Sequence, residues 1–112
     1  MKPSELLRKG CSIIPTQAFR AMWNKPGLVH TAMLLKEHHV KIDTACALGT
    51  IVIAKIGAEP KRIYRVDDLL NTWAWVSQKL LGDELVVQVA SWNDDDCLTR
   101  EEIADKLEEM GQ

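Results

Sequence analysis

The sequence predicts a small all-α domain, a bundle of four to six short helices around a buried central helix at about residues 44–56. Three observations lead there. Residues 45–56 are apolar almost all round, and a helix with no polar face is one that the rest of the fold covers. Breakers punctuate the chain at Pro15, Asn24 to Gly27, Gly57 with Pro60, Gly82 and Gly111. The segment opening at Thr99 carries a reciprocal cap, with Glu102 three residues on. Neither repeat nor linker interrupts the chain, and 112 residues with 46% apolar content suffice for one core. Residues 1–112 are therefore read as a single helical domain.

The first helix begins at Pro3, whose missing N–H suits a first turn. Leu6, Leu7, Cys11 and Ile14 share its inner face, and Pro15 ends it. Residues 16–23 read as a short helix carrying Ala18, Phe19 and Met22. Residues 28–40 fit either a helix or a strand. Asp43 or Thr44 is placed to cap the central helix. Within it Gly49 permits a close neighbour, and Gly57 closes it as a left-handed cap. Asp67 or Asp68 caps the next helix, with Leu69, Leu70, Trp73, Val76, Ser77, Leu80 and Leu81 on one arc. Residues 84–92 are rich in β-branched side chains. Even so, Leu85, Val89 and Trp92 recur at i, i+4, i+7 and favour helix over strand. In the final helix Leu98 and Ile103 form a hydrophobic staple, and Ile103, Leu107 and Met110 make the core stripe.

The net charge of −2 hides a gradient. Residues 1–81 hold 12 basic and 6 acidic side chains, whereas residues 82–112 hold 2 basic and 10 acidic. Such a polar molecule can hold its own last helices against its body, steer a basic partner or self-associate. The apolar runs fall short of the roughly 20 residues that span a bilayer. The opening residues lack the apolar core of a signal peptide, so the expected setting is cytoplasmic, away from membranes. Cys11, Cys46 and Cys97 are odd in number and far apart, and with His30, His38 and His39 they offer no finger-like ligand spacing. No metal, no cofactor and no catalytic constellation is expected.

Cys46-Ala47-Leu48-Gly49, then Trp92-Asn93-Asp94 and a final helix opening Thr99-Arg100-Glu101-Glu102-Ile103, resemble a known pattern. They are similar to small uncharacterised bacterial and phage proteins with a "CALGA … WND" signature, a domain of unknown function. The resemblance implies a phage or prophage accessory protein and transfers no activity.

Taken as residues, Trp92 packs inward while Asn93 and Asp94 turn the chain by bonding nearby backbone donors. An alternative is a degenerate calcium loop over 91–102, with Asn93 and Asp95 at its third and fifth positions. Ser91 and Asp96 then stand where an EF-hand has Asp and Gly. Trp75 falls on the polar side of its helix, beside Asp68, Asn71, Gln78 and Lys79, where an exposed indole can anchor a protein partner. With the acidic face of the last helix (Glu101, Asp105, Glu108) it makes the preferred reading a non-enzymatic interaction module. Such a module binds a host protein or a second copy. The alternative partner is nucleic acid, through Lys61, Arg62 and Arg65 with Tyr64 as a stacking ring.

Overall fold

The computed structural model describes residues 1–23, 39–57 and 63–112. The expected helix or strand over 28–40 lies outside them except for its last two residues, as do His30, His38, Lys61 and Arg62. Helix α1 (Pro3–Ile13) opens with Pro3 at its first position, and the Lys2 N–H donates to Glu5 Oε1 at 3.4 Å. Leu6, Leu7 and Ile14 are buried and Cys11 is half-buried. Ile14, next to Pro15, is extended at φ −120°, as a pre-proline residue prefers.

Beyond α1 the chain departs from an all-α fold. Thr16–Gln17 form strand β1, which pairs in parallel with β3 (Thr44–Ala45) in the register Thr16↔Thr44 and Gln17↔Ala45. Trp23 makes an antiparallel bridge to Ala45, so the expected helix over 16–23 is instead a strand and a series of bends. A second two-stranded sheet joins β2 (His39–Lys41) to β4 (Ile63–Arg65) in antiparallel register, His39↔Arg65, Val40↔Tyr64 and Lys41↔Ile63. Both sheets are too short to show a period of two in the sequence. The architecture is mostly helical with this small strand component, and its radius of gyration of 12.8 Å suits one domain of this length.

Helix α2 (Ala47–Ile56) is the centre, with every residue from Ala47 to Ala54 buried. Its cap is neither Asp43 nor Thr44, since Thr44 and Ala45 lie in β3. Cys46 is the cap, its Sγ accepting from the Gly49 N–H at 3.4 Å. Two glycines bring neighbours close. A Cβ at Gly49 would collide with the Met22 carbonyl oxygen, and the Trp23 indole donates to the Gly49 carbonyl at 3.1 Å. A Cβ at Gly10 would stand 2.5 Å from both Thr50 Cγ2 and the Thr50 carbonyl oxygen, so α1 and α2 meet backbone to backbone. Gly57 ends α2 at φ 115°, ψ 162°, a region open essentially to glycine and different from the expected left-handed cap.

Helix α3 (Val66–Trp75) begins on Arg65 with no side-chain cap; Asp67 and Asp68 sit in its first turn, where they favour the helix dipole. It runs on as a π turn over Val76–Leu81 that closes at Gly82, φ 83°. Leu69 and Val76 are buried, with Leu70, Trp73, Ser77, Leu80 and Leu81 half-buried on the expected arc. Residues Asp83–Asp94 are helix α4, burying Leu85 and Val89. Helix α5 (Arg100–Glu109) has its capping box, with Glu102 N–H to Thr99 Oγ1 and Thr99 N–H to Glu102 Oε1 both 3.1 Å. Ile103 and Leu107 are buried, but Met110 is 54% exposed because the helix has ended before it. Helix α1 packs against both α2 and α5. No helix among the described residues is long and apolar enough to cross a membrane.

Candidate functional site

Among the described residues, a buried polar junction and an exposed aromatic ridge stand out as candidates. The first lies at the start of α2. Asn93, 1% exposed near the end of α4, accepts on Oδ1 from the Ala47 N–H (3.0 Å) and from Gln17 Nε2 (2.8 Å). Its Nδ2 donates to the Ala18 carbonyl (3.0 Å) and to Asp94 Oδ1 (2.8 Å). Asp94 Oδ1 also takes the Arg20 N–H at 2.8 Å, which holds Arg20 at φ 59°. So Asn93 and Asp94 do not bond the near backbone donors expected of them. They reach 46 residues back to Ala47 and 74 to 76 back to Gln17, Ala18 and Arg20, fastening α4 to the start of α2 and to the strand-and-bend segment after α1.

Arg100 continues this junction on the other side of Gln17. Only 5% exposed, it donates to the carbonyls of Ile14 (2.7 Å) and Pro15 (2.6 Å) and to Thr50 Oγ1 (2.9 Å). These carbonyls follow the end of α1, where the helix dipole favours a cation. Gln17 links the halves, since its Oε1 accepts from the Arg100 N–H at 3.2 Å. Nothing local in the sequence marks Asn93 or Arg100 as a buried group. The one available signal was that both lie within the patches resembling the signature, and those patches meet here through Asn93 and Ala47.

A hollow of about 280 Å³ opens beside the junction, lined by Arg20, Met22, Cys46, Leu48 and Asp94 among others. Its chemistry is closed. The first-turn donor of Ala47 goes to Asn93 and that of Gly49 to Cys46 Sγ, so the α2 N-terminus keeps little to offer an anion. Burial pushes the Cys46 thiol up to about 11, so it is neutral and unreactive near neutral pH. The junction orders the fold.

The second place is the surface around Trp75, which is 41% exposed. Lys55 Nζ stands 4.6 Å from the centre of the indole ring, a cation–π contact between the ends of α2 and α3. Two shallow hollows share these two side chains. One, of about 370 Å³, is bounded by Asn71 and Thr72; the other, of about 220 Å³, by Met1, Leu6, Lys9 and Ala54. The indole thus forms a ridge between two depressions, with cations beside it and no covering segment among the described residues.

The remaining expected site residues are dispersed. Glu101, Asp105 and Glu108 are all exposed on α5. Asp105 and Glu108 are turned to the chain's own use: Arg8 of α1 reaches them at 2.7 and 3.2 Å. The hydrogen bond to Asp105, then that to Glu108, raises the guanidinium pKa further above its already high value. Of the basic set, Arg65 is exposed but lies 3.6 Å from Asp67. Tyr64 is 3% exposed and faces the core, because its register opposite Val40 points it inward. It is no stacking platform. The segment read as a calcium loop starts inside α4, which runs to Asp94, and the oxygen of Asn93 is already taken twice. Among the described residues no group of three or more metal-ligating side chains gathers.

No family model matches the chain, and neither a curated protein nor a solved structure matches it.

Proposed function

We propose that the chain is a non-enzymatic protein-interaction module that engages its partner through the Trp75 ridge. The observation that carries this reading is a large indole, 41% exposed, poised under Lys55 between two hollows. Tryptophan is the side chain most enriched among residues that dominate binding energy, and an indole held in place loses little freedom on docking. The resemblance of the Cys46 and Trp92 patches adds the setting, a phage or prophage accessory protein acting on a host protein. The test is affinity capture from cell lysate with the immobilised chain and with Trp75→Ala, both checked for helical content by circular dichroism. A polypeptide retained by the native chain and lost from the folded variant supports the reading. Equal retention by both sinks it.

A second reading, nucleic-acid binding, has one observation in its favour. Sheet pairing sets exposed His39 and Lys41 of β2 beside exposed Arg65 and Ile63 of β4, which brings further polar side chains to the neighbourhood of Arg65. Fluorescence anisotropy with a labelled single strand at low salt checks it, and a signal that salt does not weaken counts against it.

A further inference from the structure

We propose that the Trp75 surface receives a second copy of this chain, and that the element it receives is the end of α5, Met110 together with Glu109. The inference rests on reading Trp75 as an anchor and names what it anchors.

Charge is the first argument. Lys9 and Lys55 line the hollows, both exposed, and among the described residues neither forms an ion pair. On α5, Arg8 engages Asp105 and Glu108, while Glu101 and Glu109 make no ion pair among the described residues. The described residues therefore carry cations with no carboxylate partner at one surface, Lys55 standing over the Trp75 ring, and carboxylates with no ion pair at another, in line with the basic body and acidic end.

Apolar surface is the second. Met110 should have completed the core stripe of α5 but is 54% exposed. Met1 and Trp75 are also among the exposed large hydrophobics. A flexible thioether suits an irregular hollow and packs favourably at the edge of an aromatic ring.

Placement is the third. The Ser4 N–H donates to the Gln112 carbonyl at 3.1 Å, so the chain just after Met110 is fastened to the first turn of α1. Met1 and Leu6, from that same part of the chain, line the hollow next to Trp75. Donor and acceptor surfaces thus sit around one end of α1. A two-fold axis there lets each copy place Met110 against the other's Trp75 and Glu109 near the other's Lys55, which borders both hollows. Such an interface is self-complementary and closed, as two-fold dimers are.

Sedimentation equilibrium of the full chain, from micromolar to millimolar concentration, tests this directly. The native chain is expected to pass from monomer to dimer, at lower concentration when salt is reduced. Trp75→Ala and Met110→Asp should each raise the dimer Kd by about tenfold or more. An equimolar mixture of the two should associate better than either alone, because the mixed pair keeps one intact contact. A native chain that stays monomeric, single variants that dimerise normally, or a mixture no better than its parts would each overturn the proposal. Circular dichroism reports folding throughout. If Trp75→Ala loses its helical signal, the exposed pair Lys55→Glu and Glu109→Lys decides: each alone must weaken the dimer and the two together restore it. A monomeric native chain that still captures another protein in a Trp75-dependent way removes the second copy and leaves the anchor in place.

Discussion

The junction at Asn93 and the ridge at Trp75 are opposite solutions to placing a demanding side chain in a small domain. Asn93 and Arg100 are buried with hydrogen bonds supplied by segments far away in the chain. Trp75 keeps two-fifths of its surface exposed, with a lysine over its ring. The first arrangement spends its polar capacity inside the chain, and it orders the fold. The second leaves apolar and cationic surface unspent, and it suits an encounter with another molecule. Loss of the first should therefore register as instability, and loss of the second as lost association.

The largest expected effect is at the junction. Asn93→Leu removes the partners of the Ala47 N–H, the Ala18 carbonyl and Gln17 at once. It should cost about 3 kcal/mol or more, lowering Tm by roughly 10 °C or beyond. Arg100→Met keeps much of the stem but strips the Ile14 and Pro15 carbonyls of their donor, with an expected loss of about 2–4 kcal/mol. Thermal unfolding followed by circular dichroism measures both. A Trp75→Ala variant as unstable as these would erase the contrast between the two regions.

Next comes the close approach that frames the junction. Gly49→Ala drives a Cβ into the Met22 carbonyl, and backbone cannot swing aside as a side chain does. About 2–3 kcal/mol should be lost in chemical denaturation. Gly57→Ala meets no neighbour within 4 Å but must hold φ 115°, which costs about 1–3 kcal/mol through strain alone.

The Cys46 thiol gives a pH signature. Burial raises its pKa from an ordinary value of 9.0 to about 11, so the neutral thiol is favoured in the folded state. That contribution is complete below pH 9 and is lost as pH rises through about 11. The stability lost over that interval is on the order of 2–3 kcal/mol. Cys46→Ala should flatten this part of the stability–pH curve, and an unchanged slope would show that the thiol is not its source.

The smallest effect is expected at Arg8, whose pairing with Asp105 and Glu108 is open to solvent. Arg8→Ala should lower Tm only slightly, and less still as salt is added, which a salt series on both proteins resolves.

What could be read from residues alone follows the range of the interactions involved. Helices α1, α2, α4 and α5 were legible because their signals are local: a proline at the first turn, an apolar run, i, i+4 spacing, a capping box. The strands were not. Thr16–Gln17 and His39–Lys41 are strands only because Thr44–Ala45 and Ile63–Arg65 come alongside, and two or three residues carry no periodicity of their own. The burial of Asn93 and Arg100 was hidden for the same reason, since a polar residue enters a core only when distant partners meet it there. Tyr64 misled because the basic residues around it suggest a wet loop, whereas its register in the sheet turns it inward. Met110 misled because helical phase was extended one residue past the helix. Trp75 lies on the polar side of α3 with exposed Asp68 and Asn71, as helical phase predicts, while Gln78 and Lys79 fall in the π turn beyond it.

The contacts between the two ends of the chain also have a bearing on the order of events during synthesis. Arg8 meets Asp105 across 97 residues, and Arg100 meets Ile14 across 86. Closing a loop of that size costs on the order of 4 kcal/mol in chain entropy before any contact offsets it. During synthesis the α5 side of α1 therefore waits uncovered until Arg100–Glu109 have been made. A purified chain truncated before Arg100 should be cut readily by protease within α1, and the 112-residue chain should resist.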